Sequence, residues 1–195
     1  MEIILPESRI SFEVLGVPRS YQDKPDTPKR WGATFLVPQG SPLAAQVLKT
    51  INEVAEAKWG KKAKTYLEDI LADKKASCWV NGDKKEYDGY QGMMALTAYR
   101  YEEKGRPIVL DSDASPMYKA DGTLYEGKGG RIYSGCYVKC KVDIYAQDNK
   151  QGKGIRAELK VVQRLRNGDA FGGGTPPTAD GFEAIEEGAD ADDLS

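Results

Sequence analysis

The sequence predicts a mainly β protein: a small barrel or α+β sheet, interrupted by one helical insert and followed by an acidic tail. Three observations point there. Strand-length segments with alternating apolar residues lie on both sides of a single long stretch of helical periodicity. The strands do not alternate regularly with helices as βαβ units do, which argues against a doubly wound sheet. Beyond residue 171 the composition changes, with Gly172-Gly173-Gly174 and Pro176-Pro177 leading into a run that has no basic residue.

In chain order, the first strand is expected over Arg9 to Leu15, where Ile10, Phe12 and Val14 alternate with Ser11 and Glu13. A polar loop from Arg19 to Arg30 carries Arg19, Lys24, Lys29 and Arg30 beside Tyr21. Trp31 to Val37 forms the next strand, closed by Pro38 and Gly40. Ser41 then caps a helix with Pro42 in its first position, and Leu43, Val47, Leu48, Ile51, Val54 and Ala55 recur at helical spacing until Gly60. A second helical stretch, Lys61 to Ala72, completes an insert over about residues 41–72. Short strands follow at Ser77 to Val80, Met93 to Tyr101 and near Ile108, and then a Gly- and Asp-rich loop from Asp111 to Gly130. The clearest strands come last, Ile132 to Gln147 and Gly154 to Arg166, joined by a polar hairpin over residues 148–153. Residues 1–171 are thus expected to form one domain and residues 172–195 a flexible tail.

Composition removes whole classes of function. The 195 residues include no histidine, which excludes Ser-His-Asp and Cys-His catalytic units, HExxH zinc proteases and His-bearing zinc sites. Cys78, Cys136 and Cys140 are odd in number and lack CxxC spacing, so buried thiols in a reducing compartment are expected rather than disulfides or a metal knuckle. No segment offers the roughly 18 to 20 apolar residues of a membrane span, and Met1 to Pro6 lacks signal-peptide character. The reading is cytoplasmic, with no cofactor and no metal. Net charge is −2, but Asp180, Glu183, Glu186, Glu187, Asp190, Asp192 and Asp193 all lie in the tail. The other 23 acidic residues face all 28 basic ones, leaving a body of +5 and a tail of −7. Such a body meets polyanions, and such a tail competes with them, recruits basic partners or keeps the chain in solution.

Counted by two, Ile132, Ser134, Cys136, Val138, Cys140, Val142, Ile144 and Ala146 share one small, mostly apolar face suited to a barrel interior. Tyr133, Tyr137, Lys139, Lys141 and Tyr145 stand on the other. On the partner strand Ile155, Ala157, Leu159, Val161 and Leu165 point in, and Arg156, Lys160, Arg164 and Arg166 share the outer face with Glu158 and Val162. An aromatic row beside cations suits single-stranded nucleic acid, whose bases stack while its phosphates are neutralised. Tyr99, Arg100, Tyr101, Lys104 and Arg106 form a weaker second patch, and Arg30 with Trp31 is a further candidate, though Trp31 alternates with Ala33, Phe35 and Val37 like a core residue.

Several of these runs resemble a known family. Ile132-Tyr133-Ser134-Gly135-Cys136-Tyr137-Val138, Ile144-Tyr145-Ala146, Gly154-Ile155, Val162-Gln163 and Arg166-Asn167-Gly168 look like the OB-fold single-stranded-DNA-binding proteins of tailed bacteriophages. So do Ala33-Thr34-Phe35-Leu36-Val37-Pro38, Lys58-Trp59-Gly60 and Arg106-Pro107-Ile108-Val109-Leu110-Asp111 in order and approximate spacing. The resemblance covers about Arg9 to Gly174. It implies an OB-type five-stranded barrel with a helical insert, sequence-tolerant binding of single-stranded DNA, and a role in phage replication or recombination in the host cytoplasm. It also implies an acidic tail that occupies the groove without DNA and docks phage or host replication proteins with it. Many such tails end in phenylalanine, whereas this one ends Asp193-Leu194-Ser195 with Phe182 its only aromatic.

Two other classes remain open at this point. One is a metal-dependent nuclease built on Asp111, Asp113 and Asp121. The other is an interaction adaptor whose tyrosine row is a subunit interface. A homodimer and binding to duplex DNA are likewise undecided by the sequence.

Overall fold

The computed structural model describes residues 1–20, 24 and 27–172. The tail acids from Asp180 to Asp193, together with Tyr21 and Phe182, lie outside the described residues. The first strand, β1 (Glu2–Arg19), is much longer than the expected Arg9 to Leu15, and its two halves serve different neighbours. From Glu2 to Arg9 it pairs antiparallel with β6 (Tyr137–Asn149), and from Arg9 onward with β2 (Arg30–Pro38). A strand shared in this way has to bend, and it does so at register shifts between Leu5 and Ser8, where Pro6 sits, and between Ser11 and Val14.

The remaining strands complete the ring. β2 pairs with β4 (Met93–Tyr101), β6 pairs with β7 (Gly152–Arg166), and a parallel contact of Tyr99 with Glu158 joins β4 to β7. The order β4-β2-β1-β6-β7 is therefore a closed five-stranded barrel, as the expected fold class requires. Two short strands, β3 (Trp79–Asn81) and β5 (Ile108–Leu110), extend β4 and β7 at their edges. Inside, Leu5, Ile10, Phe35, Leu96, Val138, Val142, Ile144, Ile155 and Leu159 are fully enclosed. All three cysteines are buried and unpaired, and burial pushes the Cys78 thiol up to about 12, so it stays protonated and unreactive.

The insert packs on this barrel. Helix α1 (Pro42–Trp59) starts where the sequence signals it: the Ser41 hydroxyl accepts a hydrogen bond from the Ala44 amide at 3.1 Å, and Pro42 fills the first turn. It buries Val47, Ile51, Val54 and Ala55, packing on β6, β2 and β1. A short 3-10 turn, Gly60–Lys62, replaces the start of the expected second stretch, and helix α2 (Ala63–Ala72) packs on β7.

Three extra residues overturn parts of the alternation read from the sequence. Thr34 and Gly32 are two apart on β2, yet their β1 partners Ser11 and Val14 are three apart, so β1 carries one residue more. The bulge swings Phe12 outward, contrary to the alternation that placed it with Ile10, while Ser11 stays opposite Thr34 on the outer face. On β7, Lys141 opposes Val161 while Val142 opposes Leu159, leaving Lys160 extra; Tyr137 opposes Arg166 while Val138 opposes Arg164, leaving Leu165 extra. Val162 therefore enters the core in place of Val161, and Arg164 leaves the expected outer face. Residues 132–136, expected to begin the long strand, are not strand at all. Gly135 has φ 111°, and a side chain there would collide with the backbone of Asp169, because the segment after β7 crosses over it.

Candidate nucleic-acid interface

The outer face of β1, β2 and β4 carries an aromatic tract. Tyr101 stands opposite Arg30 and Tyr99 opposite Gly32 on the β2–β4 ladder, so the two tyrosines share one side. The Arg30 guanidinium lies 3.7 Å from the Tyr99 ring centroid. Residues 82–92 fold back over the same face because Asp83 accepts a hydrogen bond from the Gly92 amide at 2.7 Å and another from the Gln39 side chain at 2.8 Å. That loop lays Tyr90 on the sheet, buried, with its hydroxyl turned to Ser11 and Thr34. Beside it Tyr87 meets the everted Phe12 edge to face, ring centroids 4.9 Å apart.

The tract continues onto the neighbouring strands. Tyr90 lies within electrostatic reach of both Tyr87 and Tyr99, and burial together with those neighbours raises its pKa despite its two hydroxyl partners. Tyr145 on β6 is raised by burial and by the nearby Tyr101, with Lys104 and Arg156 also in reach. Phe12, Tyr87, Tyr99, Tyr101 and Tyr145 are the large aromatics exposed on these elements, at 56%, 47%, 37%, 38% and 37%. Glu158, buried at this end of the tract, is over-neutralised by Arg100, Lys104 and Lys160. Burial would raise its pKa, but Lys104 and Lys160 hold it below the usual range.

The β6–β7 face is different. Tyr137, Lys139, Lys141 and Tyr145 do share a side as expected, but Lys141 is bound to Glu2 at 2.6 Å and Arg166 to Glu7 at 2.8 Å. Tyr137 is capped by the Arg166 guanidinium 3.4 Å from its ring centroid, with Arg9 at 5.7 Å on the same ring. Tyr133 is not in the row: it is half-buried, and its hydroxyl donates to the Gly168 carbonyl at 2.8 Å and accepts from the Gly168 amide at 3.1 Å. Arg156 donates to the Lys75 carbonyl at 2.7 Å. Lys139 is exposed and has no ion pair among the described residues.

Other expected contacts turn out to be architectural. Trp31 is buried and donates its indole N–H to the Gly16 carbonyl at 3.0 Å. Arg100 leaves the tyrosines of its strand and is held by Glu158 and the carbonyls of Lys104 and Gly105. Arg106 lies between the rings of Trp31 and Tyr118 and lines a groove of about 440 Å³ with Ile108 and Lys119. Arg164 is 3.8 Å from Asp111, donates to the Arg131 carbonyl, and is 15% exposed.

Asp111 decides the fate of the nuclease reading. It is fully buried, with Lys128 at 2.5 Å and Arg131 at 2.6 Å on one carboxylate oxygen and the Ser112 amide on the other. Burial disfavours its charge, yet Lys128, the Ser112 amide and Arg131 outweigh that and bring its pKa down to about 2. Asp113 and Asp121 accept bonds from the backbone and hydroxyls of Ser115 and Thr123. These carboxylates fasten a loop, and no cluster of three potential ligands occurs among the described residues.

Phe12, Tyr87 and Tyr90 were not among the residues picked out by sequence. The available signal was aromatic density in a short polar loop, Tyr87 to Gly92, but nothing local says that the loop docks on the barrel.

A family model described as Enterobacter phage Enc34, ssDNA-binding protein, matches residues 1–194. Protein p50 of Acyrthosiphon pisum secondary endosymbiont phage 1 is 38% identical over 198 residues, covering 100% of this chain and 95% of its own length. Among solved structures, the single-stranded DNA-binding protein of bacteriophage Enc34 in complex with ssDNA superposes with a TM-score of 0.68 at 20% identity, over 88% of this chain and 89% of that one. Gp2.5, a single-stranded DNA-binding protein encoded by bacteriophage T7, gives 0.56 at 15% identity, over 97% and 99%. At these identities the two structures carry the fold.

Proposed function

Since the chain belongs to the family of the Enterobacter phage Enc34 ssDNA-binding protein, a non-enzymatic family, we propose that it holds single-stranded DNA on the tract from Phe12 to Tyr145. The observation that carries this reading is the continuity of that tract: exposed rings on β1, the 82–92 loop, β4 and β6 succeed one another across the barrel. Bases stack on such rings without being identified, at about 1–3 kcal/mol each. Arg30, Lys104 and Arg156 stand beside them for phosphates, and no step needs a proton donor, which fits a chain without histidine. The protein then coats and protects single strands during phage replication or recombination in the host cytoplasm. Among the described residues no helix is long and apolar enough to cross a membrane.

We assign DNA binding to residues 1–171 and a regulatory role to residues 172–195. Gly172, the last residue before the acidic segment that the structure describes, donates its amide to Asp88 at 3.2 Å, in the loop that carries Tyr87 and Tyr90. The segment's charge of −7 opposes that of DNA for the same cations, and once displaced it is available to replication and recombination proteins. Fluorescence titration with oligo-dT across a salt series tests the whole reading. Log K should fall by about 0.7 per phosphate for each unit of log salt, roughly 2 for the three cations named. Deleting residues 178–195 should raise affinity, most at low salt. Absence of oligo-dT binding, or a flat salt response, overturns the assignment.

A further inference from the structure

Gly32 stands in the middle of β2, where glycine is unfavourable because it adds no packing and loses the most backbone freedom on folding. Its φ is outside the left-handed region, so the backbone does not require glycine there. What requires it is the neighbouring strand. A Cβ at position 32 would overlap Cδ1 of Tyr99, lie 2.9 Å from its Cε1 and 3.0 Å from the Ala98 carbonyl. The Tyr99 ring fills the space a side chain would take, with Arg30 3.7 Å from its centroid.

We propose that Gly32 is a positioning residue for nucleic-acid contact: its bare backbone sets how deeply Tyr99 sits, and with it the height of the Tyr99–Arg30 pair between Tyr90 and Tyr101. A methyl group at position 32 has two rigid neighbours, a strand backbone and an aromatic ring, and only the ring can move. Swinging outward, Tyr99 leaves the line of the tract and takes Arg30 with it. The inference rests on the tract being the DNA-binding surface.

The test is a double-mutant cycle of Gly32→Ala and Tyr99→Ala, titrated with oligo-dT and melted by circular dichroism. Gly32→Ala should weaken binding about tenfold in the wild-type chain and less than twofold when Tyr99 is already alanine. The double variant should melt no lower than Tyr99→Ala alone, because alanine suits a strand better than glycine once the ring is gone. This second arm holds even if Gly32→Ala by itself folds poorly. Independent, multiplying losses of affinity, unchanged binding by Gly32→Ala, or a double variant less stable than Tyr99→Ala overturns the assignment of Gly32. Failure of the wild-type chain to bind oligo-dT overturns the functional reading itself, and this inference with it.

Discussion

On the β1–β2–β4 face, Phe12, Tyr87, Tyr99 and Tyr101 each keep more than a third of their surface in solvent. On the β6–β7 face, Tyr137 lies under Arg166, while Lys141, Lys160, Arg164 and Arg166 each hold an acidic or carbonyl partner. Both faces contain tyrosines alternating with cations, and by residue type alone the second is the richer. What separates them is prior commitment. Tyr137 carries two guanidiniums and is half-buried, whereas Tyr99 carries one and keeps 37% of its surface in solvent, and a lysine already bound to a carboxylate gains less from a phosphate because the carboxylate has to be released.

The sharpest way to break the comparison is to remove Tyr99 and Tyr101 together. Two stacking platforms at about 1–3 kcal/mol each predict a loss of affinity of about 30-fold or more in oligo-dT titrations; a loss under fivefold would move the interface elsewhere. Next in size is Asp111→Asn, which leaves Lys128, Arg131 and Arg164 converging on a neutral group. Stability should drop by about 3 kcal/mol in denaturant melts, with DNA affinity of the folded protein little altered. The pH dependence carries its own sign. The Asp111 pKa is lowered from the ordinary carboxylate value of 3.8 to about 2, so its stabilisation is complete above about pH 5 and is lost as pH falls through 2, about 2 kcal/mol in all. The Asn variant should lack that part of the acid transition.

Smaller effects sharpen the boundary. Tyr87→Ala removes one exposed ring and should cost about 1–2 kcal/mol of binding, read as a five- to thirtyfold weakening by the same titration. Lys139→Ala, outside the tract, and Lys141→Ala, whose lysine is already bound to Glu2, should each change affinity by no more than about twofold at moderate salt. A larger effect from either lysine would bring β6 back into the interface along its whole length.

Much of the fold was legible because its signals are local. Ser41, Pro42 and Gly60 bracket α1, and β4 occupies Met93–Tyr101 as its alternation says. The site was legible only in part. Tyr99, Tyr101, Arg30 and Tyr145 fall on the tract, whereas Tyr133, Trp31 and Arg164 belong to the scaffold. Alternation predicts a face only until a bulge inserts a residue, and the extra residues at Phe12, Lys160 and Leu165 each reverse the count, whereas Tyr133 is displaced because residues 132–136 are not strand. Bulges follow from how a strand must curve to close a barrel, a property of the whole ring rather than of any short segment. The docking of Tyr87 and Tyr90 is equally non-local, since it depends on Asp83 reaching Gly92 and Gln39.

The bulge at Phe12 has an evolutionary reading. Its φ of +50° is a conformation that a bulky side chain adopts at a cost of about 1–3 kcal/mol, and glycine would adopt it without penalty. Selection for stability alone favours glycine at position 12, whereas selection for an exposed ring beside Tyr87 favours phenylalanine. Phe12→Gly should therefore melt higher and bind more weakly than the parent, a pair of opposite changes showing that this position is tuned to its ligand at the expense of the fold.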